Sequence, residues 1–76
     1  MENKIRTFKA ETAAKLYEVV KLLGEIYEDS EKLDNEANGY NAFNEYLNIE
    51  AYPFNKDLLE TIGDIREWAD TINPND

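Results

Sequence analysis

Seventy-six residues with 17 acidic and 8 basic side chains carry a net charge of −9, and 42% hydrophobic content lies above the range of disordered acidic tails, so one small folded domain spanning 1–76 is expected. The chain contains no cysteine and no histidine, and Ser30 is its only serine, which excludes disulfides, thiolate zinc sites, imidazole metal ligation and Ser-His-Asp catalysis. An acidic surface of this kind repels nucleic acid and anionic membrane and attracts proteins with exposed basic clefts.

The charge is unevenly distributed. The first twenty-four residues hold five basic and three acidic side chains, whereas beyond Gly24 fourteen acids face only Lys32, Lys56 and Arg66. No segment approaches the roughly 18 apolar residues needed to span a bilayer, and the start has no apolar run of signal-peptide length, so a cytoplasmic protein is expected. The abundance of Asn, Lys, Ile, Tyr, Phe and Glu fits an AT-rich coding sequence such as that of a low-GC bacterium, phage or mobile element.

In chain order, Ile5, Thr7 and Phe8 read as an extra helical turn leading into the first main helix. From Glu11, Ala13, Leu16, Val20, Leu23 and Tyr27 recur at steps of three and four, with Val19, Leu22 and Ile26 broadening the stripe, which predicts a core-facing helix from about Glu11 to about Asp29. Glu11 with Lys15, and Lys21 with Glu25, form opposite-charge i,i+4 pairs along it. From Ser30 to Ala51, Leu33, Ala37, Tyr40, Phe43 and Leu47 keep helical spacing, but Asn38-Gly39 is a turn signal. A short acidic helix ending near Asn38 and another from Asn41 to about Glu50 are favoured over one continuous helix. After Tyr52-Pro53, Asn55 is a candidate cap and Phe54 with Leu59 a candidate hydrophobic staple. Leu58, Ile62, Ile65, Ala69 and Ile72 then predict a helix that ends at Asn73-Pro74, with 72–76 as a frayed tail. The expected fold is an all-α bundle of three to four helices.

Two acidic concentrations are candidate binding surfaces. Asp57, Glu60, Asp64 and Glu67 fall within an arc of about 80° on the last helix, with a rise of ~4.5 to 6 Å per step that is near the spacing of phosphates along a nucleic-acid strand. Trp68 lies between that ridge and the apolar stripe, where an aromatic anchor is useful at an interface. The second concentration includes Glu31, Asp34 and Glu36, surrounded by tyrosines that include Tyr52, a composition suited to docking arginine and lysine.

The segment Asp34 to Glu45 resembles an EF-hand calcium loop at positions 1, 5, 6 and 12, with Asp34, Asn38 and Glu45 as ligands and Gly39 at the turn. Glu36 at position 3 and Asn41 at position 8 depart from that pattern, so an acidic helix-turn-helix without metal is the preferred reading. Surface carboxylates at helical spacing lack the convergent cavity that acid-base chemistry requires, so no enzymatic activity, no metal and no cofactor are expected.

Ile49-Glu50-Ala51-Tyr52-Pro53, followed by Ile62-Gly63-Asp64-Ile65-Arg66-Glu67-Trp68, resembles the C-terminal third of the colicin nuclease immunity proteins. That family comprises small acidic four-helix proteins that bind and inhibit a DNase toxin. The resemblance implies roles in partner contact for Tyr52 and for Glu31, Asp34 and Glu36. Ala51 stands where the family has a tyrosine and Asn48 where it has an acid.

Together these features predict a non-enzymatic antagonist that covers the basic nucleic-acid-binding surface of a nuclease or other DNA-handling protein, as immunity, anti-restriction or anti-CRISPR proteins do. Its partner would be a basic protein, with no direct contact to nucleic acid or membrane. The alternatives are a helical interaction module or homo-oligomeric accessory subunit, and a single EF-hand-like calcium binder.

Overall fold

The computed structural model describes residues 2–36 and 41–74, and among them every regular element is helical. Helix α1 runs from Glu2 to Glu36, a π turn occupies Phe43–Leu47, and helix α2 spans Leu58–Ile72. The predicted bundle of three to four helices is thus represented by three helical elements, of which two are full helices.

Helix α1 fuses three predicted pieces: the lead-in, the main helix and the acidic segment after Asp29. No proline interrupts it, and opposite charges at i,i+4 recur at Glu28 and Lys32 as well as at the two pairs upstream. Ser30, whose hydroxyl can compete with the backbone, is instead buried and donates to the Ile26 carbonyl at 3.0 Å. At 1.5 Å per residue the 35 residues span about 52 Å, so α1 alone sets the 55 Å long dimension of the molecule. Its last turn carries acids and no base, an arrangement that opposes the helix dipole. The turn signal Asn38-Gly39 lies outside the described residues.

Across that break the Asp34 carboxylate accepts the Ala42 N–H at 2.5 Å, tying the end of α1 to the returning chain. The helix expected from Asn41 to about Glu50 is reduced to a single turn. Asn41 Oδ1 accepts the Asn44 N–H at 3.3 Å, and the turn closes with Asn48 N–H donating five residues back to the Phe43 carbonyl at 2.8 Å. Tyr52 then packs edge-on between Phe43 and Phe54, with ring centroids 5.8 and 5.4 Å away. Its hydroxyl donates to the Lys56 carbonyl at 2.8 Å.

Helix α2 starts later than the sequence suggests. Asp57 occupies the cap position with extended ψ of 154°, and its side chain makes no capping bond. Asn55 is therefore not the cap. The staple positions fall on Lys56 and Thr61, not on Phe54 and Leu59. At the other end Ile72 belongs to the helix, and Asn73 N–H donates to the Ala69 carbonyl at 2.9 Å. The expected tail at 72–76 therefore begins after the helix has closed.

The two helices pack antiparallel: Tyr17 meets Asp70 and Asn73, while Tyr27 packs on the core cluster and lines a cleft with Asp57 and Leu58 at the start of α2. Val20, Leu58 and Ile62 form the buried core, flanked by Leu23, Tyr27, Phe43 and Ile65. Ala13 and Ala69 are fully buried, since short side chains let the helix axes approach closely. The radius of gyration is 16.0 Å, against about 11 Å for a globule of this length, and the thinnest dimension is 14 Å. One layer of helices cannot cover two faces. Val19, Leu22 and Ile26, expected to widen the core stripe, are exposed.

Candidate partner-binding surface

Helix geometry puts Glu60, Asp64 and Glu67 on one side of α2, with Asp57 at the cap position just before them, and all four are exposed. The opposite face of the helix buries Leu58, Thr61, Ile62 and Ala69, which fixes the direction in which the ridge points. Lys56 reaches back from the start of the helix to pair with Asp64 at 2.5 Å. The hydrogen bond and charge of Asp64, with the fields of Glu60 and Glu67, hold the Lys56 ammonium above its ordinary pKa. Among the described residues this is the ion pair the ridge contains, so the ridge stays negative.

A second acidic feature is a half-open cleft of about 520 Å³ between the C-terminal end of α1, the π-turn segment and the start of α2. Its lining includes Glu31 and Asp34 from α1, Tyr52 from the connection and Asp57 from α2. Four of the nine residues singled out in the sequence therefore meet in one place. Asp57 belongs to both the cleft and the ridge, which joins them. Glu36 is exposed but lies outside the cleft lining, and Trp68 sits eleven residues further along α2, about 16 Å up the axis, with 56% of its surface exposed.

Two of these groups are already engaged. One Asp34 oxygen holds the Ala42 N–H, and the half-buried Tyr52 spends its hydroxyl proton on Lys56. Tyr52 therefore presents ring surface to the cleft. The sequence reading missed the amides of Asn41, Asn44 and Asn48, which also line it. Their steps of three and four residues were a readable sign of a shared helical face. Carboxylate and amide oxygens around aromatic rings make a site that accepts hydrogen bonds from a guanidinium or ammonium group. Lys56 is the cation in its lining.

Of the calcium-loop candidates, Asn38 and Gly39 lie outside the described residues, and Glu45 is exposed on the π turn. Among the described residues no three acidic side chains converge as a metal-binding group. No helix among them is long and apolar enough to cross a membrane. Comparison with protein-family models, with curated proteins and with solved structures gave no match.

Proposed function

We propose that this protein is a non-enzymatic antagonist that binds the basic, nucleic-acid-binding surface of a nuclease or other DNA-handling protein in the cytoplasm. The observation that carries this reading is the position of Asp57, which lies at the foot of the α2 ridge and in the lining of the acidic cleft, so that the two acidic features adjoin with Lys56 as the cation between them. The ridge carboxylates would stand in for successive phosphates, while the cleft would take a lysine or arginine side chain of the partner. Exposed Trp68 adds apolar contact at the far end of the ridge. The resemblance to nuclease immunity proteins supports the same reading, because Tyr52, Glu31 and Asp34, which it implicates, share the cleft.

The test is association kinetics against a panel of basic nucleases at low and high salt. Charge steering is screened over about 8 Å at physiological ionic strength, so association should slow by about tenfold or more as salt rises. A variant carrying Asp57→Asn, Glu60→Gln, Asp64→Asn and Glu67→Gln should lose the salt dependence and most of the affinity. Binding that survives those four changes would remove the basis of the proposal.

A further inference from the structure

Helix α1 carries a second apolar seam that α2 does not cover. Ile5, Phe8, Val19, Leu22, Ile26 and Leu33 are all exposed, Phe8 by 67% and Leu22 by 50%. With Thr12, Lys15 and Asp29 in the intervening places, they follow alternating steps of three and four without a slip from residue 5 to residue 33. That is a strict seven-residue repeat, the pattern that fits a helix to another helix of comparable length. The seam lies about 100° around the helix from the Ala13, Leu16, Val20 and Leu23 face, so α2 and a second partner can be accommodated at once.

Its length argues for the occupant. The seam spans about 42 Å, while the fifteen residues of α2 reach about 22 Å and already pack elsewhere. Within this chain, α1 of a second copy is the helix that matches.

Charge decides the orientation. Residues 2–24 hold five bases and three acids, net +2, whereas residues 25–36 hold six acids and one base, net −5. A parallel pair would set the two acidic halves side by side, with Lys15 opposite Lys15 and Asp29 opposite Asp29 inside the seam. An antiparallel pair sets each acidic half against a basic one. We propose that two copies of this protein pair through these seams with their α1 helices antiparallel. Reflection about the midpoint between Val20 and Lys21 brings Phe8 opposite Leu33 and Val19 opposite Leu22 of the second copy. The same alignment puts Thr12 beside Asp29 and lays the Lys15 stem along Ile26, so neither charged seam residue meets its own kind.

The contact is modest. A strip about 42 Å long and one helix diameter wide covers on the order of 400 to 500 Å² per copy, which places the pair among reversible assemblies and not obligate ones. Pairing supplies the second layer that a single helical hairpin lacks. It does not depend on the acidic antagonist reading, since the ridge of α2 lies off this face.

Sedimentation of the full chain from roughly micromolar to millimolar concentration should show a monomer-dimer equilibrium. Leu22→Glu, at a half-exposed position outside the α1–α2 core, should keep the helical circular dichroism and weaken dimerisation by about tenfold or more. Because the chain lacks cysteine, Phe8→Cys and Leu33→Cys proteins can be mixed and oxidised. Antiparallel pairing yields the crosslink between the two different variants. A wild-type chain that stays monomeric throughout overturns the proposal, as does crosslinking of Phe8→Cys only with itself. The four-residue ridge variant should dimerise like wild type, so failure of one proposal is distinguishable from failure of the other.

Discussion

The Tyr17 hydroxyl donates to the Asp70 carboxylate at 2.5 Å, joining residues fifty-three apart in the chain and pinning α1 to the C-terminal half of α2. Asn73 approaches the same hydroxyl at 3.5 Å. With so few large side chains buried, one interhelical hydrogen bond is a sizeable part of what holds the hairpin together. Tyr17→Phe keeps the ring and removes the bond. It should cost about 1 kcal/mol and lower the melting temperature by about 4–8 °C, measured by thermal circular dichroism.

Asp34 is a candidate contact residue that also has a structural task, because it accepts the Ala42 N–H. Asp34→Ala leaves that amide without its partner and should destabilise the protein by about 1–2 kcal/mol in a urea titration. Asp34→Asn retains an acceptor oxygen and should cost less. Equal losses for the two variants would mean that the charge, not the hydrogen bond, is what the fold uses.

The core and the exposed apolar residues should respond differently to truncation. Ile62 is 8% exposed and belongs to the three-residue core, so Ile62→Ala should cost about 2–4 kcal/mol, enough to unfold much of the population of a marginally stable domain. Leu59 is its near neighbour on the same helix but is 54% exposed. Leu59→Ala should stay within about 0.5 kcal/mol. Denaturant melts of the two variants side by side provide the check.

Lys56 is the cation that offsets the ridge, through Asp64. Its pKa is raised by that pairing, so the stabilisation it brings is fully present below the ordinary lysine value of 10.5 and is lost only as pH climbs through the higher folded-state value. Stability measured between pH 6 and 9 should therefore be insensitive to this pair. Lys56→Gln should instead make the acidic face more negative and speed association with a basic partner. Stopped-flow mixing at low salt reads that change directly, and an unchanged rate would separate Lys56 from the binding surface.

The two main helices were legible because apolar residues at three- and four-residue steps leave few other conformations that bury them, and α1 and α2 contain the predicted stripes. The acidic ridge was legible for the same reason, since one regular helix fixes the relative directions of Glu60, Asp64 and Glu67, while Asp57 stands at the cap just outside it. The sequence divides α1 into a lead-in, a main helix to about Asp29 and a short acidic helix, because local periodicity carries no mark that the three are continuous, whereas the chain stays helical through Glu36. The start of α2 was misplaced because Asn55 and Asp57 are both able caps, and packing of Tyr52 against Phe43 and Phe54 extends the connection past Asn55.

By itself the sequence determined the helical class, the apolar seams and the sign of the surface, since local periodicity and charge do not depend on what lies across the molecule. The choice between the two neighbouring seams of α1 was made only in three dimensions: α2 has room to cover one, and it covers Val20, leaving Val19, Leu22 and Ile26 in solvent. The cleft likewise exists only after the chain reverses, because Glu31, Asp34, Tyr52 and Asp57 come from separate segments whose approach depends on long-range packing.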